Sequence, residues 1–107
     1  MKLPKKVKVA GHLYTVKKVK ALIETFHGLV CGVCDPDELV IKIAKGMPRS
    51  RCVESLMHEI SHAIYHEYNI LDSDGEERIV QQMSMGWYQV LTDSPELRAL
   101  LDAPRDR

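Results

Sequence analysis

The chain is expected to fold as an α+β protein, a small antiparallel or mixed β-sheet from its N-terminal half packed on helices from its second half. Two patterns and a break predict this. Residues from Lys5 to Val19 and from Glu38 to Ala44 alternate apolar and polar side chains at the period of a half-buried strand. From about Ser50 onward the apolar residues return every three or four positions, the period of a helix with one buried face. Between the two regimes, Lys45-Gly46-Met47-Pro48 is turn chemistry. A length of 107 residues suits one domain, 1–107, β-rich over 1–46 and helical over 49–102.

Taken in order, Lys5–Val9 and Leu13–Val19 are strands, with Ala10-Gly11-His12 turning between them to make a hairpin. After a stretch through Phe26-His27-Gly28 that gives no clear pattern, Leu29–Val33 reads as another strand and Cys34-Asp35-Pro36-Asp37 as a turn. Glu38–Ala44 sets Leu39, Ile41 and Ile43 on one face of a further strand. In the first helix, Val53, Leu56, Met57, Ile60 and Ile64 fall on one side, with His58 and His62 nearly opposite. Such a helix must be covered twice, by a sheet on its apolar side and by a further ligand-bearing element on the other. The second helix follows a capping box, Ser73-Asp74-Gly75-Glu76, and continues through Ile79, Val80, Met83, Trp87, Val90 and Leu91. Ser94-Pro95 then caps a short third helix holding Leu97, Leu100 and Leu101, and Ala103–Arg107 is a frayed tail.

Composition narrows the function. With 45% hydrophobic and 28% charged residues the chain is ordinary for a soluble protein, and no apolar run approaches the roughly 18 residues of a membrane span. No apolar segment follows Met1-Lys2-Leu3-Pro4-Lys5-Lys6, so a signal peptide is not expected and the default compartment is the cytosol. Net charge is zero, yet Lys2, Lys5, Lys6, Lys8, Lys17, Lys18 and Lys20 give the first twenty residues seven positive charges and no negative one. One reading is a surface for nucleic acid or an acidic partner. The stronger is the solvated face of strands, where lysine also discourages edge pairing and no aromatic residues interleave to stack bases. Of the cysteines, Cys31 and Cys34 form a single C-x-x-C and Cys52 stands apart, which favours small buried hydrophobes with reduced thiols over a zinc knuckle or redox pair.

The chemistry lies in His58-Glu59-Ile60-Ser61-His62. Histidines four apart on a helix project from one face a turn apart, so both imidazoles can serve one ion. A glutamate one residue after the first histidine can reach a metal-bound water without itself becoming a ligand, the arrangement of zinc peptidases. Catalytic zinc usually has three protein ligands and an open position. A metzincin continuation would need glycine at Tyr65 and histidine at Tyr68, and neither is present. His66 extends the series, but three side chains of one helix rarely curl onto one ion, so it reads either as solvent-facing or as a support behind the ligands. Glu76 and Glu77, opening the second helix, remain as alternatives: periodicity sets Glu76 nearer the middle of the apolar stripe, while the capping box gives it a local role.

Leu56-Met57-His58-Glu59-Ile60-Ser61-His62-Ala63, followed by Glu77-Arg78-Ile79-Val80-Gln81-Gln82-Met83-Ser84, resembles the small gluzincin-type zinc proteins of phages and bacteria related to the ImmA/IrrE metallopeptidases. Tyr88–Pro95 is similar to the tail of the short phage members, and the resemblance covers roughly residues 36 to 101. It implies a minimal zincin-like fold, a Zn2+ ion held by His58, His62 and Glu77, and peptide hydrolysis by a zinc-activated water with Glu59 as general base. It also implies a peptide or protein substrate, a bacterial or phage-infected cytoplasm, and an exposed edge at Glu38–Ala44 to which an extended peptide can add. Tyr65, Tyr68, Tyr88, His27 and His66 are candidates for stabilising the oxyanion. Where the family usually has asparagine, this chain has Gln81. A SprT-like, DNA-associated protease is similar in the first motif but calls for histidine at Glu77. A third alternative is a zinc-containing binding or regulatory module without catalysis.

Overall fold

The computed structural model describes residues 2–20, 22–24 and 28–102. The order of elements is β1 (Lys6–Val9), β2 (His12–Val19), β3 (Leu22–Glu24), β4 (Gly28–Val30), β5 (Gly32–Asp35), β6 (Val40–Ala44), α1 (Arg49–Glu67), α2 (Glu76–Asp93) and α3 (Pro95–Asp102). Four strands form a mixed sheet in the order β1-β2-β6-β5, antiparallel except for the parallel pair β2 and β6, and β3 pairs with β4 in a separate two-stranded ribbon. The three helices complete the α+β architecture expected from the sequence. Among the described residues no helix is long and apolar enough to cross a membrane.

The hairpin is tighter than its sequence suggests. Val9 pairs directly with His12, leaving Ala10-Gly11 as a two-residue turn in which both residues have positive φ, 50° and 88°. That is the handedness a two-residue hairpin needs to match strand twist, and glycine takes it without strain where alanine does not. Gln89 of α2 holds the strained residue in place: its Oε1 accepts the Ala10 N–H at 2.7 Å, and its Nε2 donates to the Lys8 carbonyl at 2.9 Å.

The expected strand from Leu29 to Val33 divides at Cys31, its first part joining the ribbon and its second becoming β5. The β5–β6 turn also moves. Cys34 and Asp35 belong to the strand, and the four-residue loop Pro36–Leu39 replaces the expected beginning of the next one. Asp35 Oδ1 accepts the Glu38 N–H at 3.2 Å, and Leu39 takes φ 55° while packing its side chain against the core. An apolar residue at that unfavourable φ is held there by burial. The strand pattern misled because Leu39 is apolar for packing and not for strand alternation.

One core joins the layers. Val7, Val9, Tyr14, Ile41 and Ile43 from the sheet meet Leu56, Ile60, Ala63 and Ile64 of α1, with Val90 of α2 and Leu97 of α3. At the end of α1, Glu67 accepts the hydroxyl of buried Tyr14 at 2.5 Å and so ties the helix to β2. Burial and the neighbouring Glu67 both push the Tyr14 hydroxyl well above its ordinary pKa, so it stays a donor.

The start of α2 differs from expectation. Its N-cap is Gly75, with no side-chain cap, and Ser73 lies outside the helix in the preceding loop. Asp74 decides this. Its Oδ2 accepts from the Leu71 N–H at 2.8 Å and from Arg78 Nε at 3.1 Å, bonds that hold its carboxyl below the usual carboxylate range and shape the loop. Glu76 therefore loses its expected capping role. The apolar stripe of α2 is also only partly covered: Val80 is 52% and Tyr88 76% exposed. By contrast α3 begins as read, with Ser94 Oγ accepting the Leu97 N–H at 3.3 Å and Pro95 at the first helical position. Residues 103–107, the expected frayed tail, lie outside the described residues.

Where α2 crosses α1, Gly86 faces Ile64 so closely that an added Cβ would stand 2.3 Å from Ile64 Cγ2. Gly86→Ala is expected to cost about 1–3 kcal/mol as an overpacked core substitution, roughly 4–8 °C in Tm per kcal/mol at this size. Because one contact carries the effect, Gly86→Ala and Ile64→Ala combined should lose less stability in urea unfolding than the two losses added.

Candidate metal and peptide site

At 100° per residue, α1 turns two faces to two environments. Cys52, Ser55, Leu56, Glu59, Ile60, Ala63 and Ile64 are buried, while His58 and His62 point to solvent. The two imidazoles meet edge to face, their ring centres 4.9 Å apart and their Nε2 atoms 3.2 Å apart. Two nitrogens bound to one tetrahedral zinc at about 2.0–2.1 Å are themselves about 3.3 Å apart, so the pair has the spacing of a two-pronged ligand for that ion.

Glu59 is buried to 7% exposure, deeper than its neighbours in the motif suggest. It packs beneath β5, where a Cβ on Gly32 would come within 3.0 Å of Glu59 Cγ and 3.1 Å of its Oε2. Glycine at position 32 is what leaves room for the carboxylate. Burial raises the Glu59 pKa, and positive charge on His58 and His62 opposes that rise. The carboxyl is thereby more basic than an exposed one, as proton abstraction requires.

These groups line a cleft of about 670 Å³ between β5 and the first half of α1. The cleft includes Gly32 and Cys34 on one wall and Arg51, Glu54 and Ser55 on the other, none of which the motif reading picked out. A signal for the helical wall was present in the chain. Positions 51, 54, 55, 58 and 62 recur at three- and four-residue intervals and so share a face with both histidines.

The sheet edge beside the cleft is β5, the other edge being β1. The strand expected in that position, now β6, runs inside the sheet between β2 and β5. The Ala44 N–H donates to the Cys31 carbonyl at 2.9 Å, and antiparallel pairs alternate between bonded and unbonded. In the observed register this turns the backbone groups of Val33 and Asp35 toward β6, and those of Gly32 and Cys34 toward the open edge beside the cleft.

Among the described residues no group of three His, Cys, Asp or Glu side chains stands close enough to hold one ion, so Glu77 is not brought into a cluster with His58 and His62. Glu77 and Glu76 both lie exposed in the first turn of α2. His66 is exposed, the solvent-facing alternative. Of the residues considered for an oxyanion, Tyr65 donates its hydroxyl to Asp72 at 2.7 Å, Tyr68 packs against the core, Tyr88 is in solvent and His27 lies outside the described residues. None of the described residues among these lines the cleft.

The three thiols are free but not uniformly buried: Cys52 is buried, Cys34 half-buried and Cys31 exposed, which corrects the expectation of small core residues for Cys31. Three positions along extended backbone separate Cα atoms by about 10 Å, beyond the roughly 7 Å limit for a disulfide, so Cys31 and Cys34 do not form a redox pair in this conformation. Burial, followed by the nearby Glu59, pushes the Cys34 thiol up to about 12. Iodoacetamide at pH 8 is therefore expected to label Cys31 first and to leave Cys34 and Cys52 largely unmodified in the folded protein; peptide mass mapping reads the order directly.

No family model, curated protein or solved structure matches the chain.

Proposed function

We propose that the protein is a zinc-dependent peptidase of the gluzincin type, with His58, His62 and Glu77 as metal ligands and Glu59 as general base. The observation that supports this reading is the convergence of His58 Nε2 and His62 Nε2 to 3.2 Å beside a buried Glu59, in a cleft walled by an open strand edge. Glu77 is taken as third ligand on the resemblance of its helix to that family, and the loss of the Ser73 cap makes Glu76 its direct competitor.

When bound, zinc supplies Lewis acidity, polarising a carbonyl and bringing the pKa of a water down to about 7. The chain's own residues do the rest. An extended peptide adds to β5 through the outward backbone groups of Gly32 and Cys34, which sets the scissile bond along the cleft. Glu59, made more basic by burial, takes a proton from the attacking water and returns it to the leaving amine. Gly32 keeps the space that carboxylate occupies.

Purified protein is expected to contain close to one zinc per chain by elemental analysis, lost in His58→Ala, His62→Ala and Glu77→Ala and kept in Glu76→Ala. Zinc retained in both histidine variants would sink the site; loss in Glu76→Ala with retention in Glu77→Ala would exchange the third ligand.

Glu59→Gln should keep the metal and slow cleavage of a proteome-derived peptide library about 100-fold or more. Identical cleavage profiles for wild type and Glu59→Gln would leave a zinc-containing binding module, not a peptidase.

A further inference from the structure

We propose that the open face of the four-stranded sheet binds the phosphate backbone of duplex nucleic acid. Strand alternation sets Lys6, Lys8, Lys17 and Lys42 on the face opposite the buried Val7, Val9, Tyr14, Ile41 and Ile43, and all four lysines are exposed. The helices pack on the buried side, so this face has no helix over it. Lysine as a guard against edge pairing accounts for Lys6 and Lys8, which lie on the edge strand β1. It does not account for Lys17 and Lys42. Those two sit on the interior strands β2 and β6 and are paired directly across them.

Like charges opposed on neighbouring strands destabilise a sheet. Nothing described offsets this pair: the ion pairs of the described residues join His12 to Glu67, Arg51 to Glu54 and Arg78 to Asp74, and none reaches the four lysines. Asp35 shares the face at the position diagonal to Lys42, opposite Val40, and is the one carboxylate of the four strands on that side, yet forms no ion pair with it among the described residues. A polyanion is the occupant whose charge complements this surface. Two strand spacings and four residues of rise give roughly 16 Å between Lys8 and Lys42, a length over which a duplex presents a charge about every 1.7 Å. The flexible ammonium groups can follow such a line of phosphates. Tyr14, the one aromatic in the four strands, is buried on the other face, so there is no platform for stacking bases and the contact is sequence-independent and favours a duplex over a single strand.

The test is fluorescence anisotropy of a labelled duplex of about 20 base pairs with the full chain at several salt concentrations. Four phosphate contacts predict that log K falls with log salt at a slope of about −3.6, roughly a 100-fold loss between 50 and 200 mM. Lys17→Gln with Lys42→Gln should reduce the slope by about 2 and raise the Tm at low salt, since the unfavourable pair is gone. Lys17→Arg with Lys42→Arg should bind as the wild type does, which separates lost charge from lost structure. Absence of binding at 50 mM salt, or a glutamine variant that binds as wild type does, overturns the proposal. So does tighter association with phosphatidylserine vesicles than with duplex at equal charge concentration, which assigns the face to a membrane surface.

Discussion

The seating of α1 on the sheet is the contact on which the rest of the molecule depends. Leu56, Ile60, Ala63 and Ile64 bury one side of that helix against Ile41, Ile43, Val7 and Val9. With the buried side set, a rotation of 100° per residue leaves no freedom for the others: His58 and His62 must face outward. Glu59, 100° from His58 and 100° from Ile60, must lie at the seam between core and cleft. A carboxylate at that seam is desolvated without being sealed in. Its altered basicity is therefore a consequence of helix packing, not of any separate device.

Two glycines show how narrow the tolerances around α1 are. Gly86 lets α2 approach Ile64, and Gly32 lets β5 approach Glu59. Both positions lack a Cβ because the partner is a side chain of α1, and both sit where turn geometry plays no part. They fix the helix from two directions. At the hairpin the constraint is of another kind. Ala10 holds a left-handed φ at a cost of about 1–2 kcal/mol, offset by the two hydrogen bonds from Gln89 that fasten the β1–β2 turn to α2.

The hairpin, the three helices and the two histidines on one face were legible in the chain because each rests on a local period or a local turn. What was not legible depends on contacts distant in sequence. The parallel pairing of β2 with β6, which puts β5 at the edge, is a long-range choice that no local pattern records. The capping box at Ser73 failed because Asp74 found Leu71 and Arg78 first, a competition that spacing alone does not reveal. Val53 and Met57, apolar and on the expected buried side of α1, are only half-buried, whereas Glu59 lies deep. Cys52, Ser55, Glu59 and Ala63 already carried the right period. Serine and glutamate carry no apolar signal, so a stripe that includes them does not stand out in the sequence.

The same strands serve both faces of the sheet. On β6, Ile41 and Ile43 point into the core while Lys42 between them points out, and on β5, Gly32, Val33 and Cys34 all border the cleft. Val33 stands opposite Lys42, so the cleft reaches the rim of the lysine face, and the backbone that presents one also positions the other. A ligand on the outer face does not block the β5 edge, because edge groups project in the plane of the sheet and the lysines project across it.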